Sequence, residues 1–534
     1  MSKLPDPWEA GLASGWRVLG HDPQTAVPTS LDCDVLVIGT GAGGGISAEL
    51  LARAGLKVLM LEDGPLKTSR DFRQLESEAY PTLYQESAAR KTADKAINIL
   101  QGRCVGGSTT VNWTSSFRTP SDTLAFWRER YGLTELTDDA LSPYFQQAER
   151  RLHVSTWVTP PNENNELLRK GAQKLGIAAA AILRNVQGCW NLGSCGLGCP
   201  TNAKQSQLLT GVPTALAHGA TLLVNTRAER LVLREGKIES IMAISHVNQA
   251  QQAITIKASH VVLSAGAINS PALLLRSGAP DPHGVLGRRT FLHPVVMSAA
   301  DMPQRVEGWA GAPQTIYTDH FLGVDPIDGP LGYKLEAPPI HPVIFASSIP
   351  GFGQAQAAML GRFAHQHILL ALIRDGFAPQ SQGGRVRLRD DGSPLLDYPL
   401  NEAVMDAARR ALLTMAELQF AAGASHVLPV HEQAQAATSW REAKAMIEAL
   451  PMVALQTRVV SAHVMGGCGM AAKASQGVTR PDGVHWHIDN LSIHDGSLFP
   501  TSIGANPQLS IYGLVNRLTQ HLIQRLGRVP HALA

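Results

Sequence analysis

The sequence predicts an α/β protein. A nucleotide-binding layer assembled from separated segments is combined with an α+β domain built on an antiparallel sheet. Three observations carry this expectation. Residues 34–64, DVLVIGTGAGGGISAELLARAGLKVLMLEDG, pass from an apolar strand through a glycine turn and an amphipathic helix to a second strand. The same strand-then-helix style returns around residues 260–276 and again after residue 463. Between about 291 and 460 alternating runs replace it, such as VRLRDDGSPLLDY, where Asp391-Gly392 marks a hairpin turn.

The opening stretch has the most explicit chemistry. Residues 35–38 are short and apolar enough for a buried parallel strand, and Gly39, Gly41 and Gly44 fit G-x-G-x-x-G at its end. Residues 46–54 keep Ile46, Leu50, Leu51 and Ala54 at helical spacing and leave Glu49 and Arg53 for solvent, and Gly55 stops the helix. Residues 57–61 form the next strand, which ends at Glu62. The first glycine permits the tight turn, and the second lets backbone approach a pyrophosphate at the helix N-terminus. The third allows close helix–strand packing, and the acid holds a ribose hydroxyl. This is the arrangement of a Rossmann-type dinucleotide site. By itself it does not separate NAD from FAD.

Residues 1–32 are expected to be an extended lead-in, and residues 69–96 a polar, helix-prone stretch before a second glycine-rich turn at 101–117. Helices are predicted over 138–152, with Thr137 as N-cap, and over 164–175, 272–276, 402–422 and 509–526. Strands are predicted over 220–224, 228–233 and 260–263. The cofactor domain is therefore expected from residues 33–118, 205–290 and 461–534, and the substrate domain from 119–204 and 291–460, with the site at their boundary.

Bulk composition excludes some functions. With 534 residues, a net charge of +2 and 17% charged residues, no strong field draws in nucleic acid or an anionic membrane. No apolar run reaches the length of a transmembrane helix, and the first residues, MSKLPDPWEAGLASGW, lack a basic start and apolar core. A cytoplasmic protein is the expectation. Six cysteines are too few for a disulfide framework, although Cys189, Cys195 and Cys199 cluster in CWNLGSCGLGCPTNAK.

Three further stretches resemble the glucose–methanol–choline (GMC) family of flavin oxidoreductases, in family order. They are GRCVGGSTTVN at 102–112, GAINSPALLLRSG at 266–278 and HDGSLFPTSIGANPQLSIYGL at 494–514. The sequence departs from the family pattern at Ser116 and after Gly278. Where some members bind FAD covalently through a histidine, this chain has Val111, so the resemblance implies non-covalent FAD. It also implies that Gly106, Gly107 and Ser108 bring backbone to the cofactor, with Arg103 and Trp113 in the same stretch. Asn112 and Ser115 would contact the flavin, Ala228 the adenine end, Asp495 and Gly496 the diphosphate–ribityl region, and Asn506-Pro507 the pyrimidine edge.

Alcohol oxidation on a flavin needs a base for the hydroxyl proton and a donor that holds the oxygen as it becomes alkoxide-like. Composition does not select among 19 histidines. By resemblance His463, in SAHVMGGCGM, is the base and Asn506 holds the alcohol oxygen. His293, in FLHPVV, is expected to be structural. The expected reaction is oxidation of an alcohol, of apolar primary type by resemblance to the long-chain-alcohol branch, with sterols or sugars as alternatives. Reoxidation would fall to a quinone, a carrier protein or oxygen. The cysteine loop resembles one that holds an iron–sulfur cluster in some sugar dehydrogenases. Free or disulfide-forming thiols and a zinc site are the other readings of these three residues. Some of those dehydrogenases are exported with a small partner subunit, which makes a periplasmic location the alternative. The rival functions are an NAD-dependent dehydrogenase and a flavin-carrying electron-transfer subunit.

Overall fold

The computed structural model describes residues 6–247 and 251–533. Its centre is an eight-stranded sheet, parallel in one part and antiparallel in the other. The order across it is Arg17–Leu19, Thr221–Leu223, Val58–Leu61, Ser30–Ile38 and then the long strand Gln252–Leu263. Ser30–Ile38 runs parallel to both of its neighbours, with Val35 opposite Val58 on one side and His260 on the other. Gln252–Leu263 also starts an antiparallel meander through Lys237–Ser245 and Thr226–Arg234. Near its end, Leu491–Ile493 pairs with residues 261–263 in parallel. Val35, Leu36 and Val37 are fully buried, as an apolar run covered on both faces requires.

The helix Ala42–Arg53 packs on this sheet beside Gly211–Ala217 and Gln508–Arg525. Its Glu49 does not face solvent as expected. Arg151, at the end of the helix Asp138–Arg151, reaches it at 3.1 Å, and Arg53 lies 3.4 Å away. The Arg151 side chain of that later helix reaches the side that the sequence pattern assigned to water, and an ion pair replaces hydration. The lead-in also differs from expectation, because it holds a helix, Pro7–Ala13, capped by Asp6, and the edge strand Arg17–Leu19. Residues 69–96 contain only the helix Glu76–Leu83 and one short 3₁₀ turn.

The second layer is an eight-stranded, mainly antiparallel sheet. Val295–Asp301 pairs with Gln366–Ile373, His426–Pro429 and Val459–Ser461, and Gln366–Ile373 continues to Tyr333–Glu336 and Ile316–Thr318. Ile97–Ile99 joins it by parallel pairing with Val459–Ser461, so part of the segment expected in the cofactor domain belongs to this sheet. The helix Glu402–Ala421, capped by the Asn401 side chain, packs on it through residues such as Ala408, Leu412 and Met415. Gly384–Leu388 and Pro394–Asp397 form the hairpin predicted at Asp391-Gly392. Thr137 caps Asp138–Arg151, as expected. Among the described residues no helix is long and apolar enough to cross a membrane.

Candidate active site

A cavity of about 310 Å³ opens where the parallel strands end and the second sheet begins. The first glycine turn forms its floor. Gly39 has φ +97°, and a Cβ there would lie 2.3 Å from the Ser264 carbonyl oxygen. A Cβ on Gly44 would lie 1.9 Å from the Gly39 carbonyl oxygen, so this glycine acts in helix–strand packing and not on the cavity wall. The second turn meets the first across the cavity. Gly107 has φ +53°, and a Cβ on it would come within 2.9 Å of Gly41 Cα.

Glu62 closes the strand Val58–Leu61. Its carboxylate accepts from Thr40 N–H (3.1 Å), the Thr40 hydroxyl (2.5 Å) and Gly64 N–H (3.0 Å). Burial pushes its pKa up to about 7 against those hydrogen bonds. Asp495, buried, accepts from Gly266 N–H and Ser497 N–H at 2.8 Å and from Ser270 Oγ at 2.6 Å, tying the start of the helix Gly266–Arg276 to its own turn. Gln508 bridges Asn112, Ser115 and Asn185 with three contacts of 2.6–2.9 Å.

Gly39, Gly41, Glu62, Gly107, Ser108, Asn112, Trp113, Ser115, Ala228, His463, Asp495, Gly496, Asn506 and Pro507 all line this one cavity. Arg103 and Gly106 do not. Arg103 turns away to pair with Asp63 at 2.8 Å, and Asp63 is itself on the wall. Gly106, with φ +86°, donates its N–H to Thr40 Oγ1 and leaves no room for a side chain beside Thr110 and Leu208. The fit to FAD is good on this chain's own features. Two glycine turns and a helix N-terminus offer backbone suited to a diphosphate, and the Glu62 carboxylate lines the same cavity at the end of the next strand. Trp113 Nε1 and Ser115 Oγ are buried on the wall without partners.

Cys189, Cys195 and Cys199 lie off the cavity and are free thiols, as are the other three cysteines. Among the described residues no group of three or more His, Cys, Asp or Glu side chains is arranged to hold a metal ion. The iron–sulfur and zinc readings therefore gain nothing from the structure. The loop does pack behind the cofactor wall. Lys204, buried, donates to the Thr110, Asn112 and Cys195 carbonyls at 2.6–2.8 Å.

His463 sits on the wall just before the strand Val464–Gly466. Burial, reinforced by the Lys334 cation, holds its pKa down to about 3, so its ring is neutral near neutral pH. Its Nδ1 is 3.0 Å from Nδ1 of His293, and the two rings are perpendicular. His293 thus touches the catalytic candidate, which its sequence context did not disclose. Asn506 is flanked by Lys334, Nζ to Oδ1 3.4 Å, and by Glu336, Nδ2 to Oε2 3.4 Å. Gln314 also donates to Glu336. Sequence reasoning missed Lys334 and Glu336, since charges alternating with apolar residues in YKLE suggest a solvated strand face.

Models of the GMC oxidoreductase family match residues 80–295 and 379–514. The chain belongs to the GMC oxidoreductases. A long-chain-alcohol oxidase of Arabidopsis thaliana is 29% identical over 523 residues, covering 92% of this chain and 68% of that protein. A 2-methyl-1,2-propanediol dehydrogenase of Mycolicibacterium austroafricanum is 24% identical over 577 residues, covering 94% and 97%. Among solved structures, a pyridoxine 4-oxidase from Mesorbium loti shares the fold with a TM-score of 0.68 at 19% identity, covering 92% of this chain and 99% of that one. A formate oxidase of Aspergillus oryzae does so with a TM-score of 0.70 at 15% identity, covering 93% and 99%. As a GMC oxidoreductase the protein is an alcohol-oxidising flavoenzyme.

Proposed function

We propose that this GMC enzyme oxidises an apolar primary alcohol to its aldehyde, with His463 taking the hydroxyl proton and Asn506 holding the oxygen. The observation that carries the proposal is the meeting of both side chains on the cavity that also contains the glycine turns and Glu62. Leu100, Val111, Trp113, Val464 and Ile511 give that cavity apolar wall, and the long-chain-alcohol relative supports the same substrate class.

Gly41, Glu62, Gly107, Asn112, Ala228 and Asp495 would hold FAD, which when bound would supply the hydride acceptor. The chain's own part is proton handling and orientation. His463 has one nitrogen engaged by His293, which leaves Nε2 for the hydroxyl. An amide N–H of Asn506 stabilises the oxygen as negative charge grows on it.

A second reading follows from Gly504, whose N–H donates to His293 Nε2 at 3.2 Å. This contact favours the proton of the His293–His463 bridge on His293, which places the His463 proton on Nε2. His463 would then serve as a hydrogen-bond donor to the oxygen and not as the base.

Anaerobic bleaching of the bound flavin by a panel of alcohols, sterols and sugars tests the substrate class. Fast bleaching by long apolar primary alcohols is the expected result. Bleaching by sugars alone would sink it. His463→Ala is expected to retain FAD and slow flavin reduction by about 10²–10⁴-fold. Loss that is restored at high pH, where the alcohol surrenders its proton more readily, supports the base. Equal loss at every pH supports the donor.

A further inference from the structure

Lys334 and Glu336 lie two apart on the strand Tyr333–Glu336, so they project from the same face of the second sheet, toward Asn506. Both are almost completely buried. Lys334 Nζ lies 2.9 Å from the centre of the Phe117 ring and 4.3 Å from that of Tyr317. The pair itself is loose. Nζ is 3.5 Å from Glu336 Oε1, and that oxygen has no hydrogen-bond partner. A fold that needed this pair for stability would give it closer geometry, because desolvating two charges is offset only by tight contacts.

An ammonium can only donate, and a carboxylate only accept. Asn506 between them therefore has one allowed orientation, with Oδ1 toward Lys334 and Nδ2 toward Glu336. Its carboxamide has two N–H bonds. One is committed to Glu336, and the other is directed by the planar group away from the pair. Asn506 is on the cavity wall, whereas Lys334 and Glu336 lie behind it.

We propose that Lys334 and Glu336 are positioning residues that lock the Asn506 carboxamide so that its free N–H is presented to the alcohol oxygen. The proposal rests on the assignment of Asn506 to that oxygen and specifies what fixes its orientation. Neither residue touches substrate. Toward the alcohol oxygen each acts through Asn506, while the Lys334 charge also helps to keep His463 neutral.

A double-mutant cycle on the holoenzyme tests it. Lys334→Met keeps the apolar stem on Phe117 and removes the cation. It is expected to slow anaerobic flavin reduction about tenfold, and Asn506→Ala about a hundredfold. The double variant should be no slower than Asn506→Ala alone. A thousandfold loss in the double variant would mean independent effects and overturn the proposal. A second readout avoids turnover. A tertiary alcohol has no carbinol hydrogen to give up, so its binding can be titrated through the visible flavin spectrum. Its Kd is expected to rise at least fivefold in Lys334→Met and no further in the double variant. An unchanged Kd in Lys334→Met overturns the proposal even where wild-type turnover is intact. Failure of every alcohol to bleach the wild type strikes instead at the reaction assigned above. Glu336→Leu carries the same cycle from the other side. If neither Lys334→Met nor Glu336→Leu retains FAD, the pair is structural support and the proposal falls.

Discussion

Two buried carboxylates on either side of the cavity show how differently the molecule treats charge. Asp495 receives three donors at 2.6–2.8 Å, two from the start of the helix Gly266–Arg276 and one from its own turn. Glu336 receives Gln314, one long contact from Asn506 and a distant ammonium, and keeps one oxygen without a hydrogen bond. Burial raises the pKa of both. Asp495 is thus a completed junction that holds the cofactor cradle. Glu336 belongs to an unfinished polar group, and its looseness is tolerated where a substrate oxygen is expected.

The largest effect should come from breaking the completed side. Asp495→Ala leaves Gly266 N–H, Ser270 Oγ and Ser497 N–H without their acceptor, which is expected to cost about 3 kcal/mol or more in chemical denaturation and to abolish FAD retention. If the variant is as stable as wild type, the contrast between the two carboxylates is lost.

Removing the other pair together should act in the opposite sense. Lys334→Met with Glu336→Leu is expected to leave unfolding free energy unchanged or raised by about 1–4 kcal/mol, the range for replacing a buried ion pair by apolar groups. Flavin reduction should still slow about tenfold. A strongly destabilised double variant would make the pair a structural junction like Asp495.

The smallest effect is a predicted flatness. A histidine held near 3 is neutral throughout the ordinary working range, and its neutral fraction falls only as pH drops toward that value. kcat/KM between about pH 5 and 8 should therefore show no ionisation belonging to His463. An acid limb near the ordinary imidazole value that disappears in His463→Ala would show that bound cofactor and substrate raise its pKa again.

The cofactor side of the protein was legible because its constraints are local. Gly39, Gly41, Gly44 and Glu62 lie within one strand–helix–strand unit, and backbone sterics force glycine at defined offsets. Asp495, Asn506 and His463 were reached only through motif resemblance, since nothing in their own spacing announces a contact with residues 266–270 or with a cavity. Arg103 shows the limit of such transfer. It lies inside the matching stretch, yet Asp63, 40 residues earlier in the chain, takes its guanidinium. His293, Lys334 and Glu336 were illegible for another reason. Their chemistry arises from sheet pairing and from segments more than a hundred residues away, and an alternating strand shows only which residues share a face. Glu49 was misjudged for the same cause, because Arg151, the partner that replaces its hydration, lies about a hundred residues downstream.

The hydrogen bond from Ser264 Oγ to the His494 carbonyl joins positions 230 residues apart. During synthesis at about 5–20 residues per second, the glycine-rich half of the cradle must therefore wait some tens of seconds for the segment that closes it. Throughout that interval the nascent chain has a diphosphate-binding turn but neither Asp495 nor Asn506. Cofactor capture is accordingly expected late in biogenesis, with flavin supply acting on an almost finished polypeptide.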